Sequence, residues 1–229
     1  MANEYFRFQH FTVHQSQCAM KVGTDGTLLG AWANGGKHIL DIGTGTGLVA
    51  LMMAQRFPTA QITGIDIDEK ACEQARLNVA ESPFTNINIR HLNAIDMQGS
   101  FDAIVCNPPF FHLSLQCPDE RRNQARHTVM LTYRQLMTVV ARLLCEKGQF
   151  SAVIPADCKE QFEAEALLAG LSLARRCAIH TTPRKPVRRY LLAFGKHAMG
   201  EVEQTEGVIE EMPGIRSVWY ADLTKDFYL

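Results

Sequence analysis

Directly after the apolar run Phe101–Cys106 the chain carries Asn107-Pro108-Pro109-Phe110. These residue types in this order suit one chemistry: attack by an NH2 group whose lone pair is delocalised, such as the exocyclic amine of adenine or a side-chain amide. Two acceptors aimed at its two hydrogens draw such a nitrogen toward tetrahedral geometry. The Asn107 side-chain oxygen is one and the Pro108 carbonyl is the other. Paired prolines stiffen the turn, so both acceptors are fixed before a substrate arrives. Phe110 offers a flat face for a planar substrate, worth ~1–3 kcal/mol for a base on an aromatic ring. Asn107, Pro108, Pro109 and Phe110 are therefore the candidate catalytic residues, with Asn107 also facing the donor that the amine attacks.

A second constellation describes that donor. Asp41-Ile42-Gly43-Thr44-Gly45-Thr46-Gly47 follows an apolar strand and opens a helix. Gly43, Gly45 and Gly47 allow a tight turn and let a ligand lie against bare main chain. Alone, that pattern is shared by many nucleotide binders. Asp41 narrows it, because a carboxylate there repels a pyrophosphate but pairs with a cationic amine. Asp66 narrows it further. It ends the next strand, 23 residues after Gly43, where an acidic side chain accepts from ribose hydroxyls. An amine and a ribose on one ligand describe S-adenosylmethionine. Ile67, Asn93 and Ala94 fall at strand ends that face the adenine of such a ligand, and Asn93 suits its amine and a ring nitrogen.

The elements that must position these residues are legible as alternation. Strands are predicted at His38–Ile42, Gln61–Asp66, Asn86–Leu92, Phe101–Cys106, Gln149–Ile154, Ser172–Ile179 and Arg189–Phe194, the last two as a hairpin. Helices are predicted at Leu48–Phe57, from an Asp68 cap to about Glu81, at Tyr133–Lys147 and at Asp157–Ala169. Strand–helix alternation implies an α/β, Rossmann-like domain: a seven-stranded, mostly parallel sheet with helices on both faces. Its strands place ligands at their carboxyl ends, where the two constellations fall. Residues 1–36 precede the first strand as a separate segment, leaving 37–229 as the main domain.

The 229 residues are 46% hydrophobic and 21% charged, values of an ordinary globular chain. Disorder, collagen and coiled coil are excluded, and no apolar run approaches the ~18 residues of a membrane span. The N-terminus lacks the apolar core of a secretory signal, so the cytoplasm is the simplest location. Seven cysteines, an odd number without a CxxC pair, argue against a disulfide framework and a zinc site.

Net charge is −1, yet residues 121–196 carry +9 while 197–229 carry −5. A basic stretch inside a near-neutral chain suits phosphate binding, although solvated helix faces would give the same count. Pro183-Arg184-Lys185-Pro186-Val187-Arg188-Arg189 reads as a stiff basic loop, and Arg121, Arg122 and Arg126 form a second cluster. Together these seven cations are candidates for holding an RNA backbone on either side of an unpaired or rotated-out base.

The glycine loop together with Asn107–Phe110 resembles the class I S-adenosylmethionine-dependent methyltransferases of the Asn-Pro-Pro-aromatic, amino-methylating group. The block Cys18–Trp32, the Arg188–Phe194 strand and the final Leu223–Leu229 are similar to the bacterial tRNA adenine-N6 methyltransferase branch of that group. The resemblance implies tRNA as partner and adenine 37 of valine tRNA as target, with no obligate protein partner. It also implies that residues 1–36 fold over the methionine end of the cofactor, bringing Lys21, Gly23, Thr24 and Asp25 near it. Two positions depart from the group, which usually has aspartate at Asn93 and often tyrosine at Phe110. The residues themselves also suit a glutamine-N5 methyltransferase acting on a translation factor, a DNA adenine methyltransferase, or a non-catalytic S-adenosylmethionine-binding RNA chaperone. A nicotinamide dehydrogenase is disfavoured by Asp41.

Overall fold

In a computed structural model, residues 4–16, 21–108, 131–198 and 200–229 are described. A short hairpin, β1 (Tyr5–Arg7) and β2 (Thr12–His14), is followed by α1 (Thr24–Trp32). The alternating unit comes next: β3 (His38–Ile42), α2 (Leu48–Arg56), β4 (Gln61–Asp66), α3 (Glu69–Ala80), β5 (Ile87–His91) and β6 (Phe101–Cys106). Then follow α4 (Tyr133–Leu143), β7 (Leu144–Pro155), α5 (Lys159–Leu168), β8 (Ser172–His180) and β9 (Val187–Gly195). The chain closes with β10 (Glu203–Val208), the small ribbon β11 (Glu210–Met212) and β12 (Ile215–Arg216), and α6 (Val218–Thr224).

The main sheet has the order β10-β8-β9-β7-β6-β3-β4-β5. It has eight strands, one more than the seven expected. The addition is β10, whose sequence Glu-Gln-Thr-Glu-Gly-Val has no apolar alternation to announce it. Only β9 runs against the rest, antiparallel to both β7 and β8. The carboxyl ends of the other seven strands therefore share one edge of the sheet. The β8–β9 turn lies on that edge too, because it follows the carboxyl end of β8.

Apolar side chains alternate between the two faces of this sheet, as expected for strands covered on both sides. Leu40 and Ile42 of β3 join Leu136, Val140, Phe150 and Phe162 beneath α4 and α5. Ile39, one residue before Leu40, joins Leu28, Leu29, Ala50 and Met53 of α1 and α2 on the other face. A third cluster binds the chain ends, with Phe8, Phe11 and Val13 packed on Leu51, Met52 and Phe227. The Gln9 N–H donates to the Phe227 carbonyl at 2.8 Å.

Most predicted boundaries shift by a residue or two, and two shifts bear on the site. The fourth helix stops at Leu143 instead of Lys147, because Leu144 pairs with Phe101 and the next residues extend β7. Arg188 and Arg189 are not loop residues; β9 begins at Val187 and takes both into the sheet. The turn before them is tight. The Lys185 N–H donates to the Thr182 carbonyl at 3.0 Å with Pro183 at the second position, where the fixed φ of proline favours such a turn. Among the described residues no helix is long and apolar enough to cross a membrane.

Candidate active site

The glycine loop joins β3 to α2 at the carboxyl edge. Gly43, Gly45 and Gly47 have φ of 71°, 55° and 81°, a region L side chains avoid. A Cβ at Gly43 would meet nothing within 4 Å, so bare backbone there faces open space, as a cradle for a ligand requires. Asp41 lies beneath the loop, buried, and accepts a hydrogen bond from the Thr44 hydroxyl at 2.7 Å. Burial pushes its carboxyl up to about 7, the Thr44 bond opposes the rise and the nearby Asp66 charge adds to it. Such a group changes charge near neutrality and is held ready for a cation.

Asp66 ends β4 with both carboxylate oxygens oriented by backbone. The Gly45 N–H donates to Oδ2 at 2.9 Å and the Asp68 N–H to Oδ1 at 3.0 Å. Each oxygen keeps a further lone pair for a ribose hydroxyl. Ile67 beside it is 39% exposed, an apolar surface at the mouth. Asn93 caps a short 3-10 turn, its Oδ1 accepting from the Ile95 N–H at 3.0 Å. Ala94 beside it is buried.

Asn107 follows β6, between the glycine loop and β7. Its Oδ1 is buried and has no hydrogen-bond partner among the described residues. A buried acceptor without a partner costs about 1–3 kcal/mol, and one at the carboxyl edge beside the loop is poised for an N–H from a ligand. Pro108 is buried next to it. Pro109, Phe110, Arg121, Arg122 and Arg126 lie outside the described residues.

The segment ahead of β3 reaches the same edge. The Val22 N–H donates to the buried Gln15 side-chain oxygen at 2.7 Å, which anchors the exposed Lys21 and Gly23 and the start of α1 at Thr24. Asp25 and Arg189, read from the sequence as a cofactor residue and an RNA residue, form an ion pair with each other. Burial pushes the Asp25 carboxyl up and the Arg189 guanidinium pulls it back. The pair fixes the amino end of α1 over β9, whose Arg189 is the register partner of Pro155 at the end of β7.

Part of the positive stretch is neutralised within the fold. Arg134 pairs with Glu165, Lys159 and Arg176 with Glu163, Arg175 with Glu203 and Lys196 with Glu146. Arg184, Lys185 and Arg188 stay exposed without a carboxylate partner among the described residues. Three unpaired cations thus stand together at and beside the β8–β9 turn, on the edge that holds Asn107, while Arg142 and Lys147, also exposed without a carboxylate partner among the described residues, lie apart from it.

One positioning residue is absent from the sequence reading. Asn78 of α3 is fully buried. Its NH2 donates to the His14 carbonyl at 2.9 Å and to the Thr46 carbonyl at 2.8 Å, and its Oδ1 accepts from the His14 N–H at 2.9 Å. It therefore ties the N-terminal hairpin to the glycine loop. The available signal was its place on the buried stripe Ala71, Ala75, Asn78 of an amphipathic helix. Replacing it with alanine leaves three buried backbone groups unpaired. We expect a loss of about 3 kcal/mol or more in urea unfolding and weaker cofactor binding in calorimetry; an unchanged midpoint would refute the role.

A reversed strand beside β7, a glycine loop after β3 and an acidic end to β4 define an S-adenosylmethionine-dependent methyltransferase of the Rossmann-like kind. The methyltransferase small domain family matches residues 24–162, and the chain belongs to it. Among curated relatives, a protein of Phocaeicola vulgatus named tRNA1(Val) (adenine(37)-N6)-methyltransferase is 48% identical over all of this chain and 99% of its own length. One of the same name from Vibrio campbellii is 40% identical over 98% of this chain and 95% of its own. Among solved structures, a predicted O-methyltransferase, Atu636 of Agrobacterium tumefaciens, aligns with a TM-score of 0.66 at 18% identity, covering 89% of this chain and 96% of that one. That likeness is one of fold.

Proposed function

We propose that the protein methylates N6 of an adenine in tRNA, adenine 37 of valine tRNA, as the names of its full-length relatives indicate. The observation that carries the chemistry is the Oδ1 of Asn107 at the carboxyl end of β6, buried and without a hydrogen-bond partner among the described residues. S-adenosylmethionine supplies a methyl already activated on a sulfonium. The chain's own residues do the rest. Asp41 and Asp66 hold the amine and ribose sides of the cofactor, with Gly43 and Gly45 as its floor. Asn107 Oδ1 and the Pro108 carbonyl accept the two hydrogens of the adenine amine, concentrating its lone pair on the side that faces the methyl. Both acceptors are positioned beforehand, so no reorganisation is spent during transfer.

Incubation with labelled cofactor and valine tRNA lacking its modifications tests this reading. Nucleoside mass analysis should find N6-methyladenine at a single position. Label in protein with none in tRNA would favour the glutamine reading and overturn this one.

The free cations make a second test. Replacing Arg184 and Lys185 together with alanine should weaken tRNA binding and lower the slope of log affinity against log salt by about 2. Filter binding between low and moderate salt measures it, and an unchanged slope removes the turn from the RNA interface. Arg189 is left in place because its loss would strand the Asp25 charge.

A further inference from the structure

At the carboxyl end of β7 lies a cleft of about 270 Å³, lined by Asp25, Pro155, Ala156, Asp157, Val187, Arg188 and Arg189. The β6–β7 register sets Cys106 beside Ala152, so the next step sets Asn107 beside Val153. Pro155 is two residues further and one strand across, which puts the cleft within about 10 Å of Asn107. A nucleotide adjoining the target base falls at that range.

The charges in the cleft disfavour a phosphate. Asp25 and Arg189 are spent on each other. What remains is the Asp157 carboxylate, which also meets the Cys158 thiol but keeps further lone pairs and repels phosphate, and the Arg188 guanidinium, a donor; both residues are exposed. An acceptor beside a donor matches the edge of a heterocycle, and Pro155 and Val187 supply apolar wall for its faces.

We propose that this cleft reads the base immediately 5′ of the target adenine, and that Asp157 and Arg188 recognise it as cytosine. The inference rests on the valine tRNA reading above. Nucleotide 37 directly follows the anticodon, so its 5′ neighbour is the third anticodon base. Every valine codon begins with G, so that base is cytosine. Cytosine presents an N4 amine that a carboxylate accepts from, next to the N3 and O2 acceptors to which a guanidinium donates. Uracil turns a carbonyl toward the carboxylate instead.

Single-turnover methylation of two synthetic anticodon stem-loops, with C or U before the adenine, tests this. The unaltered protein should favour C by about tenfold or more. Asp157→Asn, whose amide also donates to the uracil carbonyl, should bring the ratio to within about threefold. Cofactor binding verifies that the variant is folded, and Asp157→Ser serves as a second variant. Equal rates on both loops with the unaltered protein, or an unaltered ratio in both variants, would overturn the proposal. Absence of methylation in either loop, with another RNA or a protein methylated instead, would mark failure of the functional reading itself.

Discussion

Asn107→Ala lowers the rate of methyl transfer by about 100-fold or more, equivalent to about 2.7 kcal/mol of transition-state stabilisation, and leaves the affinity for S-adenosylmethionine nearly unchanged. The reason is the state of its Oδ1 in the protein, buried and without a partner among the described residues. Such an acceptor is already stripped of water, so its bond to the adenine amine is made in a low dielectric. The same fact gives the substitution an unusual stability signature. Alanine removes an unsatisfied buried group, so the melting temperature should hold or rise while activity falls. Single-turnover transfer with labelled cofactor, calorimetric cofactor titration and a thermal melt read the three quantities. A rate within about threefold of the unaltered protein, or a loss explained by lower stability, would refute the role.

Asp41→Asn separates stability from binding in a second way. The carboxyl is raised from its ordinary 3.8 to about 7 by burial. The folded protein therefore holds this proton more tightly than the unfolded chain. Its contribution to stability is largest below 3.8, falls as pH rises toward about 7 and is level above that. Asparagine keeps an acceptor for Thr44 and removes the buried charge. The variant should melt about 5 °C higher at pH 8, with this pH dependence gone. Cofactor binding moves the opposite way, because the amine needs a carboxylate. Affinity in the unaltered protein should rise with pH up to about 7. The asparagine variant should bind about 10–100-fold more weakly and lose that dependence. Affinity independent of pH in the unaltered protein would show that Asp41 does not meet the amine.

The catalytic frame was legible because its signals are local. Asp41 and Asp66 end short apolar strands, the glycines mark the turn, and Asp68 caps α3 by accepting the Lys70 N–H at 3.0 Å. The strands His38–Ile42, Gln61–Asp66 and Phe101–Cys106 stand where their apolar runs place them. What was hidden depends on partners far away in the chain. Leu144 leaves the helical pattern because Phe101 pairs with it. Arg189 reads as a free cation until Asp25 is brought to it, and Arg175 until Glu203 arrives. Charge summed along a sequence counts such side chains as available to RNA, whereas folding spends several of them internally. Asn78 was hidden for a related reason, since no periodicity tells a buried amide clamp from a solvated one.

The polar character that conceals β10 has its own consequence. This strand pairs with β8 on one side and forms the outer border of the sheet, with Glu203, Gln204, Thr205 and Glu206 exposed. A border strand offers unpaired main-chain groups on which another molecule's strand can grow. Glutamates there make such growth electrostatically unfavourable, so the acidic character of β10 guards this border of the open sheet.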